Sequence, residues 1–196
     1  MNEQLRAELL QMQAEDLATR RELIEAGELY GPHLPKDWYH PRMAAVHRKN
    51  NARMSEILEQ YGWPGEGLVG AEGGQAAWRI VQHAILDHDL QQRALPLLEA
   101  AVKAGEAPAQ QWAMLTDRVL MESGQPQIYG SIFVGDEHGG IVPWTLADPD
   151  TVDARRASVG LAPLSDHADS LRRRVGVEQA VQQTAQAKTH KSAPEP

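Results

Sequence analysis

Prolines and glycines cut this chain into pieces of helix length, and that punctuation restricts its folds more than any other feature. GPHLPKDWYHP, residues 31–41, has three prolines in eleven residues. No helix runs through such a stretch, because each proline lacks a donor and crowds the carbonyl one turn back. YGWPGEGLVG, residues 61–70, adds four glycines and a proline. Before the first break, Leu5, Leu9, Met12, Leu17, Leu23 and Ile24 recur at helical spacing and predict an amphipathic helix over 2–26, stopped by Gly27. Between the breaks, Met43, Val46, Met54, Ile57, Leu58 and Tyr61 predict a second helix from Pro41, a residue suited to a first turn.

Residues 72–105 read as one long helix or two nearly end to end, with Pro96 at a kink or in a first turn. A further helix is expected from Pro108 to Ser123, closed by Gly124. The period then changes: residues 127–146 flank GDEHGG with short β-rich runs, as a hairpin would. Residues 148–160 read as a short helix ending at Gly160, and the polar chain from about Thr184 is expected to be disordered. The predicted fold is mainly α, a bundle-like single domain over 1–170. A small hairpin lies near 127–146, and a polar helical extension with a tail fills 171–196.

Composition narrows the chemistry. With one Phe, four Tyr and five Trp in 196 residues, the core must be built from aliphatic side chains and Met. Cysteine is absent, which removes disulfides, thiolate metal sites and a thiol nucleophile, and fits a reducing cytoplasm. No stretch has the ~18 consecutive apolar residues of a membrane span, and the charged first 30 residues do not read as a signal peptide, so no membrane partner is expected. Residues 171–196 hold five Lys or Arg against two Glu, net +3, which leaves −11 of the total −8 on residues 1–170. So acidic a body repels a phosphate backbone, and no nucleic-acid partner is expected.

The most informative string is QHAILDHDLQQ. On a continuous helix His83, Asp87 and Gln91 share a face, with Gln82 beside it. A His with a carboxylate one turn on is either an oriented acid–base pair or part of a metal site, with Asp117 as a further ligand; a capped histidine above a solvated acidic patch is the bland alternative. The order His47, His88–Asp89, Asp117 also mimics metal-dependent phosphohydrolases. Asp117 and Arg118 interrupt an apolar helix, where an unpaired charge is costly, so they form an ion-pair network or face a cleft. Gln127 and Tyr129 alternate about Ile128 and on a strand would share one face, able to bind a carbonyl or cap the preceding helix. Asp16 and Arg20 read as a surface ion pair, and Trp63 as a buried plug.

Taken in order, GWP at 62–64, LVG at 68–70, QHA at 82–84, DRV at 117–119, Gln127 with Tyr129 and Gly130, and VDARR…GL within 152–161 resemble an uncharacterised bacterial family of unknown function, common in actinobacteria. The resemblance spans roughly residues 5–165. In that pattern QHA is followed directly by Asp, where this chain has Ile85 and keeps Asp87. The resemblance implies that Gln82, His83, Asp117, Arg118, Gln127 and Tyr129 belong together, and it supplies no reaction.

The reading is therefore a hydrolase or lyase acting on a small metabolite or peptide, without cofactor or bound metal. His83 serves as acid or base, Asp117 and Tyr129 complete the catalytic group, and Gln82, Arg118, Gln127, Asp87 and Trp63 bind substrate. Two alternatives stand beside it: a non-catalytic peptide- or protein-binding module, and a metal-dependent hydrolase using His83 and Asp87.

Overall fold

Helix boundaries fall where the caps put them. In the computed structural model, which describes residues 1–29, 39–135 and 140–191, the side chains beyond Gly176 are described only for Glu178. Helix α1 spans Glu3–Ala26; the Asn2 side chain accepts from the Leu5 N–H at its start, and Gly27 ends it in a left-handed turn with φ 75°. Helix α2 spans Pro41–Tyr61, with the His40 ring accepting from the Arg42 N–H. Both match the sequence expectation.

The 61–70 segment is less of a loop than its glycines imply. Helix α3, Glu66–Gln82, begins inside it and is interrupted only at Gly70, whose φ of 71° is left-handed. Glu106 supports that start, its carboxylate accepting from the Gly67 N–H at 2.5 Å and its backbone carbonyl from the Glu66 N–H at 2.9 Å. Helix α4, His88–Lys103, is separate from α3, because the Asp87 side chain caps it by accepting from the Leu90 N–H at 3.0 Å. Pro96 stands in the interior of α4, outside the first turn. Helix α5, Ala109–Glu122, follows directly after Pro108.

Strands β1, Phe133–Gly135, and β2, Ile141–Pro143, pair antiparallel in the register Phe133 to Pro143, Val134 to Val142 and Gly135 to Ile141. The hairpin is shorter than expected, and residues 136–139 of its turn lie outside the described residues. A short 3-10 turn, Pro149–Thr151, leads into α6, Val152–Ser158, and Gly160 follows with φ 75°. Helix α7 spans Leu164–Lys191, so the boundary expected at residue 170 falls inside one helix. Arg20 of α1 holds α7 through two hydrogen bonds to the Glu178 carboxylate, at 3.0 and 2.7 Å. The expected tail, apart from the α7 backbone, lies outside the described residues, as do residues 30–38 in the proline-rich stretch.

The described residues thus form a mainly helical fold of seven α-helices and one two-stranded sheet. Helix α3 is the central element and packs on α1, α2, α4 and α5. Its Val69, Ala76, Ala77 and Val81 are fully buried against Leu9, Met54, Ile57, Leu90, Leu98 and Leu115. Small side chains on α3 let four neighbours approach it, and burial of the aliphatic groups supplies the main driving force. Among the described residues no helix is long and apolar enough to cross a membrane.

Candidate functional site

Polar residues occupy core positions on three neighbouring helices. The buried stripe of α1 reads Leu5, Leu9, Met12, Asp16, Thr19, Leu23, so a carboxylate stands where the spacing calls for an apolar side chain. On α2 the stripe reads Met43, His47, Asn50, Met54, Ile57, with an imidazole and an amide in the same predicament. His83 is the C-cap residue of α3, just past its last turn. Packing of α3 against α1 and α2 brings these groups together.

The Asp16 carboxylate bridges two imidazoles. Its Oδ1 lies 2.8 Å from His47 Nε2 and its Oδ2 lies 2.6 Å from His83 Nδ1. The imidazole centroids are 5.8 Å apart, and the Tyr39 hydroxyl bonds the remaining nitrogen of His47, Nδ1. Asp16 is 2% exposed and His47 6%, whereas the His83 side chain is 34% exposed, so the cluster is closed at one end and open at the other.

Burial works against the Asp16 charge, yet the hydrogen bonds from His47 and His83, and then the positive charge of those rings, outweigh it and hold the carboxyl well below its ordinary range. Burial, and then the Asp16 charge, push the Tyr39 phenol up, so its hydroxyl stays protonated and donates to His47 Nδ1. With Asp16 ionised, the nitrogen of each imidazole that faces the carboxylate carries a proton. In its neutral form His83 then has its lone pair on Nε2, an atom that takes part in none of the described hydrogen bonds. A carboxylate-oriented imidazole with its other nitrogen available is the arrangement of a general base.

Asp117 does something else. Its Oδ1 accepts from the N–H groups of Ile128 at 2.8 Å and Tyr129 at 2.9 Å, and its Oδ2 accepts from Ser131 N–H at 2.8 Å. The same loop is gripped from its carbonyl side by Arg156, 1% exposed, which donates to the Tyr129 and Gly130 carbonyls at 2.6 and 3.3 Å. Gln127 closes the loop: its Oε1 accepts from Ile132 N–H at 2.9 Å, and its Nε2 donates to the Ile132 and Trp144 carbonyls at 3.0 and 2.8 Å. These bonds bend the backbone away from a strand, so Gln127 and Tyr129 do not share a strand face. Tyr129 packs edge-on against Trp112, with centroids 6.0 Å apart.

A family model described as a family of unknown function, DUF6624, matches residues 3–179. The chain belongs to the DUF6624 family. No curated protein and no solved structure matches it.

In this DUF6624 chain the carboxylate partner of His83 is Asp16, not Asp117, because Asp117 spends both oxygens on backbone N–H groups. The continuous helix that would place Asp87 one turn beyond His83 is broken, and Asp87 is instead the cap of α4. Gln82 turns the other way from His83, its Nε2 reaching the Met114 carbonyl of α5 at 3.5 Å. Arg118 approaches only Glu122, at 3.8 Å, among its described ion pairs, and burial pushes its guanidinium below its ordinary value despite that carboxylate. Trp63 lines a cavity of about 170 Å³ with Gln75, Glu106 and Gln111, at the end of α3 opposite His83. His88 and Asp89 are exposed, and His88 lies 3.5 Å from Glu122. Among the described hydrogen bonds none joins His83 to Asp117, Arg118, Gln127 or Tyr129.

Sequence reasoning missed Asp16 as a site residue and treated it as half of a surface pair with Arg20, which in the DUF6624 fold binds Glu178. A signal was present. Leu5, Leu9, Met12, Thr19 and Leu23 mark a stripe spaced three and four apart, and residue 16 is its missing member.

Proposed function

We propose that this protein is an acid–base enzyme of the hydrolase or lyase class, acting on a small metabolite or peptide, with Asp16, His47 and His83 as its centre. The single observation behind the reading is the division of one buried carboxylate between two imidazoles, one enclosed and one opening outward. In this scheme Asp16 orients His83 and stabilises its charged form, and Nε2 of His83 exchanges a proton with substrate or water. His47 and Tyr39 satisfy the second carboxylate oxygen and keep the ring pair in register. A cytoplasmic address fits the lack of cysteine.

The test is a panel of esters, amides, peptides and hydroxy acids assayed with wild type, His83→Gln and His88→Gln. Turnover should fall by roughly 10²–10⁴-fold in His83→Gln, the range typical of a lost general base, while His88→Gln keeps it. Equal rates in all three would remove His83 from the mechanism.

A second reading, the binding module, draws on the cavity beside Trp63, where the indole N–H and Gln111 Oε1 are both buried without a partner. A cavity of that size suits one side chain of a peptide. A peptide that binds wild type but not Trp63→Ala, in a protein that turns over no panel substrate, would favour it.

A further inference from the structure

We propose that Asp16, His47 and His83 form a binding site for one divalent transition-metal ion of the zinc class. It takes the same centre as the proposed function and rests on that reading only for the reaction class.

The donor atoms are already assembled: one carboxylate oxygen of Asp16 and one ring nitrogen each of His47 and His83 lie within 4.8 Å of one another. Around a tetrahedral ion with bonds of about 2.0–2.1 Å, neighbouring donors sit roughly 3.3 Å apart. The two carboxylate–imidazole contacts, 2.8 Å on one oxygen and 2.6 Å on the other, need open by about 0.5 and 0.7 Å for the ion to replace the shared protons. Two imidazoles and one carboxylate are a donor set for zinc, iron, cobalt or manganese; calcium and magnesium prefer oxygen alone.

Three further observations point the same way. Two donors stand on helices α1 and α2 and the third is the residue that caps α3, and these three helices pack on one another, so the core sets the spacing of the donors. Tyr39 faces the far nitrogen of His47; once Nε2 binds the ion the ring proton sits on Nδ1 and donates to the Tyr39 oxygen, the outer contact that fixes the ring of a metal-bound histidine. The burial is lopsided, with Asp16 and His47 enclosed and His83 a third exposed, so the open position of a three-ligand site would face outward. A water held there is the activated group such a site offers a hydrolase. In the loaded site it replaces His83 as the base, because Nε2 of His83 carries the ring proton once Nδ1 binds the ion. The metal alternative read from sequence, His83 with Asp87, thus moves to a different carboxylate and gains a second histidine.

The tag-free full-length chain, stripped with chelator and dialysed, is titrated with Co²⁺ and Zn²⁺ at neutral pH. The readouts are the Co²⁺ visible spectrum and elemental analysis, and neither needs a substrate. One equivalent should bind with the intense bands of low-coordinate cobalt, and affinity should fall at least tenfold in His83→Gln and in His47→Gln but not in His88→Gln. Circular dichroism checks each variant's fold. Should the buried His47 variant not fold, His83→Gln, at the exposed end, carries the comparison. Failure of wild type to bind saturably, or equal affinity in His83→Gln and His88→Gln, overturns the site. Stoichiometric binding without turnover on any panel substrate overturns the proposed function and leaves the metal site standing. Turnover that survives chelation and disappears in His83→Gln overturns the metal site and leaves the acid–base reading.

Discussion

Asp117 and Asp16 are both buried carboxylates, and their surroundings give them opposite meanings. All the described bonds of Asp117 go to fixed backbone N–H groups, which leaves neither oxygen for a reacting proton. Asp16 faces two groups that can themselves gain or lose a proton. Asp117→Asn would set an amide NH₂ against one or more of those N–H donors and remove the charge that strengthens the others. A loss of roughly 2–4 kcal/mol is expected, read as a lower urea midpoint at unchanged m-value. His83→Gln should move that midpoint far less, since its side chain is partly exposed and the Gln amide can still donate to Asp16.

At the scale of elements, the segment between α5 and the hairpin is held by side chains from both directions. Asp117 draws in its N–H groups, and Arg155 and Arg156 draw in its carbonyls, with Arg155 Nε donating to Ile128 O at 2.8 Å. Gly130 makes the bend possible: its φ is 66°, and a Cβ there would stand 2.8 Å from Leu164 Cδ1 and 3.3 Å from Leu146 Cδ2. Gly130→Ala therefore combines a left-handed backbone penalty with a side-chain clash. A destabilisation of about 2 kcal/mol is expected by thermal or urea unfolding, larger than for an ordinary exposed glycine.

On the scale of the whole molecule, α7 closes over the hairpin, and His167 is the titratable group at that junction. Its ring packs edge-on against Phe133, with centroids 5.6 Å apart, and its Nε2 is buried without a partner. Burial first, then the positive charge of Arg156, lowers its pKa; the Ser131 backbone pulls the other way and Arg174 adds to the lowering. A group depressed on folding takes up its proton more readily when unfolded. Its stabilisation is therefore complete above an unfolded value of about 6.5 and drains away as the pH falls below it. The urea midpoint of wild type should drop between neutral pH and pH ~5, and His167→Gln should flatten part of that slope. An unchanged slope in the variant would remove His167 from the acid response.

The helices were legible because their signals are local: Pro41 sets a start, Gly27 and Gly124 set ends, and apolar residues recur at three and four, whereas the start at Asp87 reads in sequence as part of a helical face shared with His83. Chain order also singled out His83, Asp117, Arg118, Gln127 and Tyr129 as polar groups in unpromising places. What it could not supply was who meets whom. Pairing Asp16 with His47 and His83 spans 31 and 67 residues of sequence and depends on which faces of α1, α2 and α3 turn inward together. The Asp117 loop likewise closes through bonds that no periodicity encodes. Local spacing determined the elements and the odd polar members of their buried stripes, whereas helix packing alone decided which stripes face one another and so which carboxylate serves which imidazole.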